Sequence, residues 1–265
     1  MKRSVPVTEP LLTMLAVAGL GLFLVPLLAL VTRVPLGRSL ELLGSAGVRQ
    51  AIGLSLVTSL GALLLSTVLG VPLAWLLARR RIVGRRLIRA LAVLPMVLPP
   101  VVGGVALLLA FGRRGLLGLP LDHLLGVRLP FTTFGAVLAA TFVSMPFLVV
   151  TVEAGLRQAD QRLEHAAATL GASRWMIYRR ITLPQIAPSL AAGMALSWAR
   201  ALGEFGATLT FAGSLPGRTQ TMPLAVYLLL QTDPQAAYLL SGVLLVVSVG
   251  VLVMLRGRYL GGAGP

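Results

Sequence analysis

A chain of 265 residues that is 57 % hydrophobic and only 12 % charged, with a mean hydropathy of +0.91, is composed for lipid and excludes an ordinary soluble domain. Its net charge of +15 is dispersed as short arginine clusters between apolar runs, which marks membrane topology and contact with anionic lipid and implies no nucleic-acid partner. The absence of cysteine removes disulfides, thiolate metal sites and thiol nucleophiles together.

The predicted architecture is an all-α integral membrane protein, a single domain over residues 1–265 with six transmembrane helices. The uncharged or nearly uncharged runs are 11–32, 51–78, 91–111, 133–152, 186–213 and 236–255, each about as long as the ~20 residues a bilayer-spanning helix needs. The first follows Lys2 and Arg3 but is longer than the roughly 7–15 residues of a signal-peptide core, so it is read as a retained helix. The N-terminus, 79–90, 153–185 and the C-terminus carry fifteen Lys/Arg, against seven in the other three connections. Both termini are therefore expected in the cytoplasm. Pro26, Pro72, Pro99, Pro100 and Pro146 fall in or at the ends of spans and predict bent helices. Gly53, Ser55, Ser59 and Gly61, with Gly242 and Gly250, suit close helix approach.

Between the fourth and fifth spans lies a polar, arginine-bearing stretch, residues 160–184, that is unsuited to crossing. Leu163, Ala166, Ala167 and Leu170 form an apolar stripe at helical spacing, Gly171 suits a C-terminal cap, and Ser173 caps a second short helix running to Tyr178, which Leu183 and Pro184 end. Two readings fit: a docking knob for another protein's groove, or a helix pair resting on lipid headgroups.

In the fifth run, Ser197, Arg200, Glu204 and Thr208 recur at spacings of three, four and four, which puts them on one helical face. Each charge costs ~2.5–3.5 kcal/mol at mid-membrane on insertion scales, so Arg200 and Glu204 should partner each other or a neighbouring helix. Glu204 is unsuited to touching an anion directly and is expected to position Arg200. Ser197, Thr208 and Thr210 offer hydroxyls for weak, repeated contacts along a conduit, and Gly203 and Gly206 allow bending. A purely structural ion pair is the other reading.

The residues His165-Ala166-Ala167, then Gly171, then Ile181-Thr182-Leu183-Pro184 resemble the EAA loop of ABC importer permeases at every defined position except the first, where the family acid is His165 and Glu164 stands one residue earlier. The resemblance implies the type I importer permease fold and makes the loop a coupling helix inserted into the ATPase subunit, with Glu164, His165, Ala166, Ala167, Gly171, Ile181, Leu183 and Pro184 as its residues. Glu164 could replace the acid only by a turn of about 100° around the helix. The segment from Arg200 to Tyr227, with Gly-Glu-Phe-Gly at 203–206, is similar to the molybdate permease branch. That core also resembles the sulfate/thiosulfate and tungstate permeases, which remain the alternative cargoes.

The resemblance implies an ATP-driven import permease for an oxyanion in a prokaryotic cytoplasmic (inner) membrane, with Ser197, Arg200, Gly203, Glu204, Gly206, Thr208 and Thr210 along the pathway. Implied partners are an ABC ATPase subunit, an extracytoplasmic substrate-binding protein, a second copy of the chain and membrane lipid. No cofactor is expected in this chain: Lys2 is the only lysine and stands outside any Walker A loop, so ATP and Mg²⁺ belong to the partner. An enzyme would need chemistry built from His123 and His165, whose neighbouring acids Asp122 and Glu164 point to other helix faces, and no H-E-x-x-H or G-x-S-x-G is present. An ion-driven secondary transporter would leave repeated broken halves, which the sequence does not display clearly.

Overall fold

The computed structural model describes residues 8–80 and 82–255, and among them every regular element is helical. That follows from lipid as solvent, because an apolar run with no water beside it must satisfy its backbone within itself. The first seven residues and those after 255, on which the expected placement of the termini rests, lie outside the described residues.

Two unbroken helices form the scaffold. Helix α3 (Ala46–Arg79) and helix α7 (Thr133–Gln158) make the most extensive contact in the molecule. α3 is 34 residues long, about 50 Å at 1.5 Å per residue, so it carries Arg79 beyond a hydrocarbon core of about 30 Å. α3 turns small residues inward against its neighbours, including Ser55, Ser59, Ala62, Ser66, Gly70 and Ala74, all buried. A Cβ on Gly61 would come within 3.1 Å of Val137, and one on Gly70 within 2.9 Å of Leu148. Ser66 and Ser144 face each other with hydroxyls 3.4 Å apart. In lipid, where apolar helices gain little by leaving the solvent, such close backbone approach supplies the packing. Gly53 and Gly250, expected to act similarly, have open space where a Cβ would stand, whereas Gly242 abuts Val34.

The third and fifth apolar runs are not single helices. Residues 91–111 belong to α4 (Arg85–Val97) and α5 (Pro100–Phe111). Leu98 is held extended with ψ 135° before Pro99, as the clash with a following proline ring demands, and neither Pro99 nor Pro100 has an N–H to continue a helix. Residues 186–213 divide into α10 (Leu183–Leu202) and α11 (Gly206–Ala212) across Gly203–Phe205. The two breaks meet: a Cβ on Gly206 would stand 2.8 Å from Pro100, and one on Gly104 would stand 2.6 Å from Thr210. The absence of a side chain at Gly206 thus lets the two half-helices touch. Among the described residues, four helices are long and apolar enough to cross a membrane: Pro10–Arg33, Ala46–Arg79, Thr133–Gln158 and Pro234–Val251.

The remaining elements surround this core. Helix α1 (Thr8–Arg33) packs against α13 (Pro234–Leu255), and most of its side chains are exposed. The short α2 (Ser39–Gly44) and α12 (Met222–Thr232) join α3 and α13 around Leu42, Leu202, Met222 and Leu240. α12 occupies a stretch read from sequence as a loop; at 11 residues it is too short to span, and only its packing shows it as a helix. Helix α6 (Gly118–Leu125) follows α5 at the end of the bundle away from Arg79.

Candidate functional site

The stretch between α7 and α10 folds as two short helices at the arginine-rich end of the bundle. Asp160 caps α8 (Gln161–Thr169) by accepting from the Arg162 N–H at 2.9 Å. The helix ends in a Schellman motif: the Gly171 N–H donates to Ala168 O and the Ala172 N–H to Ala167 O, both at 3.0 Å. Gly171 has φ +82°, a conformation that only glycine adopts without strain. No atom of the chain lies within 4 Å of a Cβ placed there, so the surface around the cap is free. Ser173 then caps α9 (Arg174–Ile177), accepting from Met176 N at 3.2 Å.

Here the structure corrects the sequence reading. The second helix does not stop at Leu183 and Pro184; it passes through a π-turn, Tyr178–Thr182, directly into α10. Pro184 directly follows the π-turn, and with no N–H to donate it removes one bond from the helix ladder there. Ile181 and Leu183 are half-buried at this junction. A continuous helical path therefore joins Arg174 to Leu202, with Arg200 at its far end. A single-turn π element inside a helix leaves a local weakness in the hydrogen-bond ladder and is a common accompaniment of moving or binding sites.

The outward face of α8 and α9 exposes His165, Ala166, Leu170, Trp175 and Met176, with Ala167 half-buried. Glu164 points the other way. Its Oε1 accepts from Arg79 Nη2 of α3 at 2.8 Å and from Thr182 Oγ1 of the π-turn at 2.9 Å. Glu164 therefore does not take the place of the acid missing at His165; it pins α8 to the end of α3 and to the root of α10.

The second group of residues lies at the break after α10. Glu204 is 2 % exposed and sits in the gap between helices, so Ser197, Arg200, Glu204 and Thr208 do not share one continuous helical face; only Ser197 and Arg200 do, on α10. Arg200 and Glu204 nevertheless pair, with Nη1 2.7 Å from Oε2. The other carboxylate oxygen accepts from the Ala207 N–H at 2.8 Å, so one side chain neutralises Arg200 and caps α11. A carboxylate at a helix N-terminus also meets the favourable end of the helix dipole. Arg200 retains 28 % side-chain exposure, whereas its counter-ion is sealed at 2 %. The Ser197 hydroxyl is buried with no hydrogen-bond partner among the described residues. Thr208 is buried, and Thr210 spends its proton on Gly206 O at 2.9 Å, which removes it as a free donor. Gly203 is exposed at the break.

Sequence reasoning missed an ion cluster between α4 and α7, centred on the buried Glu153 with half-exposed arginines around it. Glu153 accepts from Arg89 through both carboxylate oxygens and from Arg157 Nη2 at 2.8 Å. The available signal was Glu153 itself, an acid at the edge of an apolar run; its partner Arg89 lies 64 positions away and carries no local mark. Trp198 Nε1 donating to Ser59 Oγ at 3.0 Å and the Met222 N–H donating to Ser55 Oγ at 2.7 Å are cross-helix bonds of the same kind.

Comparison with known proteins agrees with this geometry. Residues 70–261 match the model of the binding-protein-dependent transport system inner membrane component family. The molybdenum transport system permease protein ModB of Mycobacterium tuberculosis is 48 % identical over 242 residues, 91 % of this chain and 90 % of that protein. The Escherichia coli K12 protein of the same description is 46 % identical over 183 residues, 69 % of this chain and 80 % of its own length. The sulfate transport system permease protein CysT of Escherichia coli K12 is 36 % identical over 213 residues, 80 % of this chain and 76 % of that protein. A bacterial alginate ABC transporter, solved in complex with a periplasmic protein bound to an alginate pentasaccharide, contains a chain of the same fold, with a TM-score of 0.76 at 19 % identity over 97 % of both chains. The breadth of the family match and the identity to the molybdenum permeases assign the chain to the multi-pass permeases, which are transport subunits and not enzymes: it belongs to the binding-protein-dependent transport system inner membrane components.

Proposed function

We propose that this chain is the permease subunit of an ATP-driven importer of an oxyanion, with molybdate as its cargo, and that it works as a homodimer. On this reading α4 with α5 and α10 with α11 complete six crossings of one membrane domain, and the arginine-rich end with both termini faces the cytoplasm. The exposed face of α8 and α9 enters a cleft of an ATPase subunit, which holds ATP and Mg²⁺; the opposite end receives substrate from a binding protein. A twofold pair matches two coupling surfaces to two ATPase clefts. The observation that supports this most directly is the helical path from the docking face to Arg200.

Motion imposed at Gly171 and Ser173 is transmitted along α10 to the break, where α11 and α5 meet at Gly206 and Pro100. Opening and closing there alternates access past Arg200. A mobile dianion must shed water, and a partly exposed arginine offsets that cost, while Glu204 tempers the charge so that the ion is not trapped. Within this family the identity gap between the molybdenum and sulfate permeases favours molybdate over sulfate or thiosulfate; tungstate, similar in charge and shape, remains the competing cargo. The test is uptake of labelled molybdate into proteoliposomes holding this chain, its ATPase and loaded binding protein. ATP-dependent uptake that excess sulfate leaves intact is expected; uptake by the chain without any ATPase would refute the coupled mechanism.

A further inference from the structure

A groove of about 730 Å³ borders the coupling segment, between α3, α8, the π-turn and the start of α10. Its inner wall is apolar, formed by Val71, Pro72, Leu156 and Ile186. Its rim carries Arg79, Arg80 and Arg174 against one acid, Glu164. The Arg79 side chain is 9 % exposed and gives only Nη2 to Glu164, while Nε and Nη1 have no partner among the described residues. Buried charged donors without acceptors are costly, and they mark a place where an acceptor from outside the chain belongs. Arg80 lies over the Trp75 ring at 5.3 Å, and Trp75 is 39 % exposed, in the manner of an aromatic anchor at a membrane surface.

The geometry points to a binding site for one anionic phospholipid, with its phosphate among Arg79, Arg80 and Arg174 and its first acyl carbons against Val71 and Pro72. The volume is of the size that holds molecules of about drug dimensions, far more than a tetrahedral oxyanion fills, and an apolar wall below a basic rim matches an amphiphile. A basic pocket between helices on the side that the arginine distribution places in the cytoplasm is where anionic headgroups gather. Because Glu164 and Thr182 form the opposite wall, the lipid contacts both the end of α3 and the root of α10. The site depends on neither the transported ion nor an ATPase.

The test is native mass spectrometry of the purified full chain offered equal palmitoyl-oleoyl phosphatidylglycerol and phosphatidylcholine. Arg80→Gln with Arg174→Gln changes only exposed side chains and leaves Arg79 in place. Wild type should retain phosphatidylglycerol over phosphatidylcholine by roughly tenfold, and the double variant should lose most of that preference. A phosphatidylglycerol carrying a diazirine near its headgroup should label peptides containing Trp75 or Tyr178. Equal retention of the two lipids, a preference that survives in the double variant, or labelling confined to other helices would each overturn the site. Displacement of the bound phosphatidylglycerol by 10 mM inorganic phosphate or molybdate would overturn it in favour of a free-anion site.

Discussion

The unbroken pair α3–α7 and the broken spans α4/α5 and α10/α11 are built from similarly apolar sequence but solve different problems. α3 and α7 meet through small residues and the facing Ser66 and Ser144 hydroxyls, and threonines on both bond within their own helices, as Thr58 does to Leu54 O and Thr141 to Val137 O, both at 2.7 Å. Such a contact has one arrangement and nothing to release. The broken spans meet through helix ends, a sealed carboxylate and a partly exposed arginine, so their contact depends on a few polar bonds that can exchange. The difference separates a frame from a moving part, and substitutions in the two regions should fail in different ways.

The largest effect is expected at Glu204. Glu204→Gln leaves Arg200 without its counter-ion, a change of the kind that costs about 3–5 kcal/mol when a buried pair loses one partner. Folded yield and thermal stability in detergent should both fall. Arg200→Met combined with Glu204→Gln should regain part of the stability, since both charges are gone, yet import poorly in proteoliposomes. A double variant that imports at the wild-type rate would show the pair to be structural only.

In the frame, Gly70→Val forces a side chain against Leu148, Met145 and Val149, and overpacking of this type costs about 1–3 kcal/mol. Melting should drop while uptake per folded molecule is unchanged, the opposite of the Arg200–Glu204 double variant. A loss of uptake per folded molecule would mean that α3 and α7 also move.

Gly171→Val places a β-branched residue at positive φ, at roughly 1–2 kcal/mol, in a cap with no neighbour to clash with. Global melting should shift little, and stimulation of a partner ATPase by loaded binding protein should be abolished. Wild-type stimulation would remove this cap from the coupling surface.

The smallest effect belongs to the end away from the arginines. A hydrogen bond from Arg128, aided by Arg113, holds the Asp122 carboxyl below its ordinary value of 3.8. A depressed folded pKa contributes stability that is present above the unfolded value and is lost as pH falls through the folded one. Between pH 7 and 5 this contribution is fully present, so Asp122 should add no pH dependence to melting there. Only below about 3.8 should wild type lose an increment that Asp122→Asn lacks, and a difference in slope already at pH 6 would contradict the pairing.

Much of this was legible in one dimension. Membrane class and the runs that became α1, α3, α7 and α13 follow from hydropathy, which measures transfer to lipid residue by residue. The turn at Gly171 and the start of α9 were equally readable, because capping by Ser173 and the positive φ of Gly171 are decided within a few neighbouring residues; the Asp160 cap of α8 came only from the structure. What only the tertiary structure decided is where continuity fails and which distant groups meet. Pro99 and Pro100 announce a disturbance, but a clean break there requires Gly206 to seat against Pro100. Residues 186–213 read as one helix until Glu204 finds the Ala207 N–H and Arg200 across the gap. Arg79 with Glu164, 85 positions apart, and Arg89 with Glu153, 64 apart, lie beyond any local pattern. The physical reason is that apolar transfer energy is additive along the chain, whereas a buried charge is stable only with its partner in place, and the fold alone chooses that partner.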